Sequence, residues 1–391
     1  MLSYAASTLL RPLAGSSAAF GVRMFSAAAL GHKVGFIGLG KMGSRMVNHL
    51  LDAGTNVVAF DQNRLALNRA KDVAQQHPHG TLEARDCPAD ISSDPEVPVV
   101  ITMLRNASDV RDCYLGANGL FKVPGGPSAS LFVDCTTVDT ATTRKLAAAA
   151  GMLQLSPKAP KMPGMALADG KPHLIDAPVT GAVTGAEAGT LTFMVGGNKS
   201  AAEAAAPILR TMGSHIIHCG DHGAGISAKL CNNLVLAASM AALAEALALG
   251  KRMGLDPAVL TDVLNRGAAR CWSSETYNPV PGVLEDPLLP SNRGYKAGLP
   301  LSNVSEHLNM LLEAAKVAKS PTPVARSVQS LYERVEQEGL VARSVQSLYE
   351  RVEQEGLGDK DFSSVFRYVY GSGCDNTEWK DGQQLFSSQV P

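Results

Sequence analysis

The sequence predicts an α/β protein in which an N-terminal doubly wound parallel sheet is followed by an all-α domain, entered by a long interdomain helix. Three observations carry this prediction. β-prone and helical runs alternate through the first half of the chain, a glycine-rich turn separates the first strand from the first helix, and strand signals fade beyond Gly225. Such alternation is typical of a parallel sheet with helices on both faces. The predicted domains are residues 31–222 and 223–391.

The first strand and helix flank a glycine motif. The β-prone run 33–37 leads into Gly38-Leu39-Gly40-Lys41-Met42-Gly43, and a helical stretch follows directly. In this context Gly38 permits a tight turn, Gly40 lets a pyrophosphate approach the backbone, and Gly43 allows close packing of helix on strand. The motif therefore predicts a Rossmann domain that holds a dinucleotide at the start of the helix.

An acidic residue follows the second strand. The run 56–60 ends at Asp61, which lies 18 residues after Gly43. A carboxylate at this position bonds the adenosine ribose 2′-hydroxyl and repels a 2′-phosphate, so Asp61 predicts NAD. Arg64 lies nearby, and an arginine can accept a 2′-phosphate, so NADP stays open at this point.

Later strands place further residues at the same sheet edge. Parallel strands are predicted at 98–104, 131–135, 173–177, 191–195 and 216–219. Ligands bind at the carboxyl ends of parallel strands. Met103, Leu104 and Thr137 follow two of these strands, so we expect them to face the crevice, although ordinary strand-ending turns would give the same pattern.

A loop of small residues follows the predicted strand 173–177. It reads Asp176-Ala177-Pro178-Val179-Thr180-Gly181-Ala182. Consecutive backbone N–H groups in such a loop can hold a carboxylate, and the hydroxyl of Thr180 adds a donor. The alternative interpretation is a simple turn.

The long helix predicted at 226–253 carries three polar residues near its start. Lys229, Asn232 and Asn233 share one face of an otherwise apolar helix, because helical neighbours lie three and four positions apart. Buried polar groups without partners are costly, and a polar substrate is one such partner. A lysine that extends from the helix surface into water is the alternative.

Composition and charge exclude several classes of protein. The chain has 391 residues and a formal net charge of −1, so no basic field favours nucleic acid. The seven cysteines form no CxxC pair, which argues against a zinc site or a disulfide framework. We expect no metal at His215, His218 and His222. The apolar run 234–250 is short for a bilayer and contains Glu245, so we expect a buried helix and no membrane.

The N-terminus differs from the rest of the chain. Residues 1–30 carry Arg11 and Arg23 among many Ser and Ala residues, and the first acidic residue of the chain is Asp52. This composition predicts an organelle transit peptide, for which we favour the mitochondrial matrix over the plastid. A disordered tail is the alternative.

Several motifs, in order, resemble those of the β-hydroxyacid dehydrogenase family. The nucleotide loop 35–43, the loop 176–182 and the helix start 225–233 match the family, with Thr180 in place of its usual serine and Ala182 in place of a glycine. The stretches 271–283 and 361–366 resemble the branch that acts on 3-hydroxyisobutyrate. The resemblance covers nearly everything after residue 32.

The resemblance implies an activity and roles for the candidate residues. Lys229 would be catalytic, Asn233 would bind the substrate, and Thr180, Gly181 and Ala182 would hold its carboxylate. The cofactor would contact Met103, Leu104 and Thr137. The implied reaction is NAD-dependent oxidation of a small 3-hydroxy acid, 3-hydroxyisobutyrate, to methylmalonate semialdehyde in valine catabolism, by a homo-oligomer. Two alternatives stay open, an NADPH-dependent reductase of glyoxylate or succinic semialdehyde and a catalytically impaired homologue that only binds cofactor.

The chain departs from the family pattern at three places. Glu306-His307-Leu308 stands where the family has Lys-Asp-Leu, which reverses a charge near the cofactor. The proline-rich insertion 154–170 is predicted to form a surface loop. Residues 324–340 are repeated without change as 341–357. Gly339 and Gly356 predict that each copy ends as its own short helix, of which one docks and the other protrudes.

Overall fold

The computed structural model describes residues 33–160, 170–296, 298–346 and 360–366. The predicted transit peptide 1–30, most of the insertion 154–170 and the end of the second repeat lie outside these residues. The two ends of the insertion are held together, since the Leu155 N–H donates to the Gly170 carbonyl at 2.9 Å.

The described residues contain one mostly parallel sheet of nine strands. The strand order is β3-β2-β1-β4-β5-β6-β8-β7, with β9 also paired to β8. The central strands are apolar and buried, as expected where helices cover both faces. The strands are β1 (Val34–Ile37), β2 (Val57–Phe60), β3 (Leu82–Ala84), β4 (Val99–Thr102), β5 (Leu131–Asp134), β6 (His173–Asp176), β7 (Val179–Thr180), β8 (Leu191–Gly196) and β9 (Gly213–Gly220).

Helices cover the sheet and then form the C-terminal half of the described chain. Several begin at a side chain that caps the first turn: Asn106 accepts from the Asp109 N–H, and Asn198 from the Ala201 N–H. The helices are α1 (Gly43–Asp52), α2 (Arg64–Ala74), α3 (Pro88–Ser93), α4 (Ala107–Leu115), α5 (Thr140–Ala150), α6 (Ala182–Glu187), α7 (Lys199–Leu209), α8 (Ala224–Arg252), α9 (Pro257–Arg266), α10 (Trp272–Glu275), α11 (Leu301–Val317) and α12 (Pro323–Gln346).

The direction of β8 differs from the prediction. β8 and β9 were both expected to run parallel to the preceding strands. Instead β8 runs antiparallel to β6 and β7, and β9, which is parallel to β8, shares the reversed direction. Residues 181–190 alone connect β7 to β8. A parallel neighbour needs a crossover of about a dozen residues or more, so this connection favours an antiparallel return.

Helix α8 belongs to two hydrophobic cores. Near its start Ile226 and Leu230 pack in the cluster that includes Phe132 of β5, whereas Met240 and Leu247 pack with residues of α11 and α12. In the described part of the chain α8 is the one helix long and apolar enough to cross a membrane, and half of its most apolar window is buried within the protein. That burial is expected of a helix shared between two cores.

Helix α11 contains the altered motif Glu306-His307-Leu308. It begins before this motif, at Leu301. Leu301, Val304 and Leu308 are buried at helical spacing. His307 and Glu306 therefore lie within a helix that packs against α8 rather than in a preceding loop.

The prediction that Gly339 ends a helix is wrong. Helix α12 passes through Gly339 and extends to Gln346 in the second repeat. One glycine within a helix costs only about 1 kcal/mol relative to alanine, and good helix formers follow it. The first copy docks through Tyr332 and Val335, which are buried, and the Tyr332 hydroxyl donates to the Ala237 carbonyl at 3.4 Å. The side chains of the second copy lie outside the described residues.

Candidate active site

The three glycines of the nucleotide loop lie in different surroundings. A Cβ on Gly38 would lie 2.2 Å from the Met103 carbonyl oxygen, and one on Gly43 would lie 1.9 Å from the Gly38 carbonyl oxygen. Gly38 also has a φ of +96°. A Cβ on Gly40, in contrast, would meet nothing within 4 Å. Packing therefore requires two of the glycines, and the third leaves open space where a pyrophosphate fits.

Asp61 faces the glycine loop. Its carboxylate accepts hydrogen bonds from the Leu39 N–H at 2.6 Å and from the Asn63 N–H at 2.7 Å. Arg64 instead pairs with Asp86 at 3.0 Å on the exposed surface. The acidic group, rather than the guanidinium, is thus built into the predicted ribose site.

A buried network orders the ends of β4 and β5. Asp134 accepts from the Thr102 hydroxyl at 2.8 Å and from the Thr136 N–H at 3.1 Å. The Thr136 hydroxyl in turn accepts from the Leu104 N–H at 3.0 Å. Burial raises the pKa of Asp134 to about 6. Met103 and Leu104 therefore lie against the glycine loop. Thr136, rather than the predicted Thr137, makes the hydrogen bond to Leu104. Thr137 follows Thr136 and is half-buried.

Asp176 anchors the start of α8. It accepts hydrogen bonds from the Gly223 N–H at 2.8 Å and the Ile226 N–H at 3.0 Å, and it is buried. A Cβ on Gly225 would lie 2.2 Å from the Met194 carbonyl oxygen, so the helix start lies directly on β8. Sequence reasoning missed this anchor because its partners lie about 50 residues away and give no local signal.

The predicted carboxylate loop lies between β7 and α6. Thr180 ends β7, Gly181 has a φ of +134°, and Ala182 has a φ of +56°. Gly181 is exposed and the other two are half-buried. Within the described ranges, no hydrogen bond joins this loop to Lys229 or Asn233. The hydroxyl and N–H donors of this loop are therefore available to a ligand. They do not bond to Lys229 or Asn233, the other part of the predicted substrate site.

Ala182 occupies a left-handed conformation that glycine adopts more readily. Such a backbone costs a residue with a Cβ about 1–2 kcal/mol. We therefore expect Ala182→Gly to raise stability by about 0.5–1 kcal/mol, after allowance for the greater freedom of glycine in the unfolded chain. Thermal unfolding should rise by about 1–3 °C. The matched control is Ala148→Gly on the exposed face of α5, which should lower stability by about 1 kcal/mol. Equal losses in both variants would contradict the assignment of strain to Ala182.

Lys229 lies on the first turns of α8 and is half-buried. Burial lowers the pKa of Lys229 to about 8. No described residue forms an ion pair with its ammonium. A lysine without a counter-ion in a desolvated position gives up its proton more readily than a lysine in water.

Asn233 and His307 join α8 to α11. Asn233 is 3% exposed, and its Nδ2 lies 2.9 Å from His307 Nδ1. Asn232 Nδ2 donates to Asn233 Oδ1 at 3.3 Å. Burial, followed by the charge of Lys229, lowers the pKa of His307 to about 4. The altered family motif thus places His307 in the site, whereas Glu306 beside it is exposed.

The two stretches 271–283 and 361–366 meet in the helical half. The Tyr277 hydroxyl donates to Asp361 Oδ2 at 2.9 Å, and the same oxygen accepts from the Leu299 N–H at 2.9 Å. Tyr277 stacks between Trp272 and Phe362, with ring centroids 4.7 Å and 5.8 Å away. Burial raises the pKa of Asp361 to about 6. Tyr277 and Phe362 of this stack belong to the same hydrophobic core as Met240 and Leu247 of α8.

Two protein-family models match consecutive parts of the chain. "NAD binding domain of 6-phosphogluconate dehydrogenase" matches residues 33–220, and "NAD-binding of NADP-dependent 3-hydroxyisobutyrate dehydrogenase" matches residues 223–344. The chain is 43% identical over 306 residues to a probable mitochondrial 3-hydroxyisobutyrate dehydrogenase of Arabidopsis thaliana, which covers 78% of this chain and 83% of that protein.

Other relatives agree with this match. The human mitochondrial 3-hydroxyisobutyrate dehydrogenase is 36% identical over 330 residues, covering 84% of this chain and 88% of the human protein. The solved structure of Mycobacterium tuberculosis 3-hydroxyisobutyrate dehydrogenase with L-serine superposes with a TM-score of 0.66 at 31% identity. That superposition covers 87% of this chain and 99% of the other.

The glycine loop, the sheet and the helical half define a hydroxyacid dehydrogenase that uses a nicotinamide cofactor. This confirms the predicted fold class, apart from the reversed direction of β8 and β9, and the predicted class of enzyme. The chain belongs to the 3-hydroxyisobutyrate dehydrogenase family.

Proposed function

We propose that this protein oxidises 3-hydroxyisobutyrate to methylmalonate semialdehyde with NAD, and that Lys229 relays the proton of the substrate hydroxyl. The observation that carries the proposal is the half-buried Lys229, whose pKa is lowered to about 8 beside the buried Asn233. The names of the relatives support the substrate, because a 43% identical protein carries it in its name.

The lowered pKa suits Lys229 to act as a base. At pH 8 about half of the Lys229 side chains would be neutral, against about 0.4% for a lysine with the ordinary pKa near 10.4. A general base works best when its pKa lies near the working pH. The neutral amine of Lys229 would take the proton of the substrate hydroxyl. The glycine loop and Asp61 would hold the nicotinamide cofactor, whose chemistry when bound is to accept hydride from the carbon that bears this hydroxyl.

The remaining candidate residues would hold the substrate. Thr180 and the backbone N–H groups of Gly181 and Ala182 would bind its carboxylate, since the Thr180 hydroxyl and these two N–H groups donate to no other residue in the described part of the chain. Asn233 keeps one amide N–H beyond the one directed to His307. That N–H would bond the substrate beside Lys229.

Asp61 supports NAD as the preferred cofactor. We expect Asp61→Ser to raise the ratio of kcat/KM with NADP to that with NAD by at least about tenfold, equivalent to about 1.4 kcal/mol. The reason is that the substitution removes a negative charge from the place of the 2′-phosphate. The matched control is Asp72→Ser on exposed α2, which should leave the ratio unchanged. A ratio in the Asp61 variant equal to that of the parent protein would overturn the assignment.

Location, pathway and assembly belong to the same proposal. Mitochondrial relatives and the acid-poor start of the chain support import into the mitochondrial matrix, and the substrate places the enzyme in valine breakdown. Exposed apolar side chains on α8 and α9 support a homo-oligomer that buries them, among them Leu249, Val259 and Val263.

A substrate panel with both nicotinamides tests the proposed function. The purified protein is assayed for NADH or NADPH formation from 3-hydroxyisobutyrate and L-serine, and for cofactor oxidation by glyoxylate and succinic semialdehyde. We expect the highest kcat/KM with 3-hydroxyisobutyrate and NAD. Faster reduction of glyoxylate or succinic semialdehyde with NADPH would replace the proposal with the reductase. Cofactor binding without any turnover would identify an impaired homologue.

A further inference from the structure

His307 comes from a different helix from the other polar groups of the site. It lies on α11, 74 positions from Asn233 in the chain, yet its Nδ1 lies 2.9 Å from Asn233 Nδ2. The contact is part-buried, and Asn233 itself is buried. A hydrogen bond shielded from water and made between two packed helices fixes both side chains more firmly than one at the surface.

The hydrogen-bond pattern sets the direction of this contact. Asn232 Nδ2 donates to Asn233 Oδ1, so the amide nitrogen of Asn233 faces the imidazole and donates to it. Nδ1 must then accept, which places the ring proton of a neutral His307 on Nε2. Protonation of Nδ1 would break this bond and add a second positive charge beside Lys229.

The charges around His307 agree with a neutral ring. From α8 it is faced by Asn233 and by the charge of Lys229. On its own helix, the neighbouring Glu306 is exposed. Across the described residues no carboxylate pairs with either Lys229 or His307. The site is therefore free of the negative charge that would hold the Lys229 proton in place.

We infer that His307 is a positioning residue: it accepts one N–H of Asn233, directs the other N–H towards the substrate, and leaves Lys229 without a counter-ion. This inference rests on the proposed roles of Lys229 and Asn233. His307 is one of the positions at which this chain departs from its family pattern, and the inference gives this residue a role in the site.

Three substitutions at one position test the inference. His307→Leu removes the acceptor at similar size, and we expect KM for 3-hydroxyisobutyrate to rise about tenfold while kcat falls less than threefold. His307→Asn offers an amide oxygen near the place of Nδ1, and its KM should stay within about threefold of the parent value. His307→Asp places a carboxylate beside Lys229, which should move the rise of kcat/KM with pH upwards by about one pH unit.

The control is Asn303→Ala, an exposed residue in the first turn of α11, which should change none of these values. An unchanged KM in the leucine variant, or an unmoved pH profile in the aspartate variant, overturns the positioning role. If the leucine variant does not fold, the asparagine and aspartate variants still decide it. Loss of turnover in Lys229→Met with normal kinetics in His307→Leu would refute this inference alone, whereas full turnover in Lys229→Met would refute the proposed function.

Discussion

Replacing Lys229 by methionine is expected to lower kcat for 3-hydroxyisobutyrate oxidation by about 10³-fold, because general base catalysis contributes about 10²–10⁴-fold to such reactions. Methionine is close to the size of the lysine stem, so the half-buried site should stay filled and the protein folded. The measurement is steady-state NADH formation, together with thermal unfolding and NADH binding to establish that the variant is intact.

Lys229→Arg separates two roles for the amine. An arginine keeps the positive charge but does not release its proton near neutral pH. If Lys229 acts as a base, the arginine variant should be nearly as slow as the methionine variant. If the side chain serves only to hold the substrate oxygen by its charge, arginine should retain much of the rate. The matched control is Lys71→Met on the exposed face of α2, which should keep full activity.

The pH profile should report the same group. Burial lowers the pKa of Lys229 to about 8. Below pH 8, the fraction of neutral Lys229 therefore rises about tenfold for each unit by which the pH is raised. We expect kcat/KM for oxidation to rise with this slope and to level off above pH 8. His307, with a pKa of about 4, should add no step above pH 6. A profile that stays flat between pH 6 and 9 would argue that Lys229 does not lose its proton in the reaction.

Local patterns in the sequence predicted how the glycine loop packs and that Asp61 lies beside it. The roles assigned to Gly38 and Gly43 follow from spacing within one turn, and the structure places backbone oxygens where a Cβ would have to stand. Asp61 likewise was predicted from its distance along the chain, and it bonds the loop residue Leu39. These features depend on neighbours that are close in sequence or separated by a single strand.

Three features of the fold were not predicted from the composition and periodicity of single elements. The reversal of β8 follows from the length of a connection rather than from the composition of the strand. The continuation of α12 through Gly339 was decided by the small cost of one glycine. The contact of His307 with Asn233 spans two helices, and no periodicity in either of them records the partner.

The second large effect concerns the anchor of α8, where we expect Asp176→Ala to lower stability by about 2–4 kcal/mol. The carboxylate accepts two backbone N–H groups at the start of the helix, and a charged acceptor contributes about 1.5–3 kcal/mol to each such bond. Burial of the carboxylate opposes this stabilisation and raises the pKa of Asp176. The stability lost in Asp176→Ala should therefore be smaller than the summed contribution of the two hydrogen bonds. Thermal unfolding should fall by about 5–12 °C.

The loss should extend to catalysis, because Lys229 follows Ile226 by less than one turn of the helix. A helix start released from Asp176 shifts the amine relative to the nucleotide loop, so kcat should fall at temperatures where the variant is fully folded. The matched control is Asp256→Ala at the start of α9, where an exposed aspartate also accepts two backbone N–H groups. It should cost about 1 kcal/mol and leave kcat unchanged. If both variants lost the same stability and neither lost activity, Asp176 would be an ordinary helix cap, and the position of Lys229 would have to be set by the packing of α8 on β8 alone.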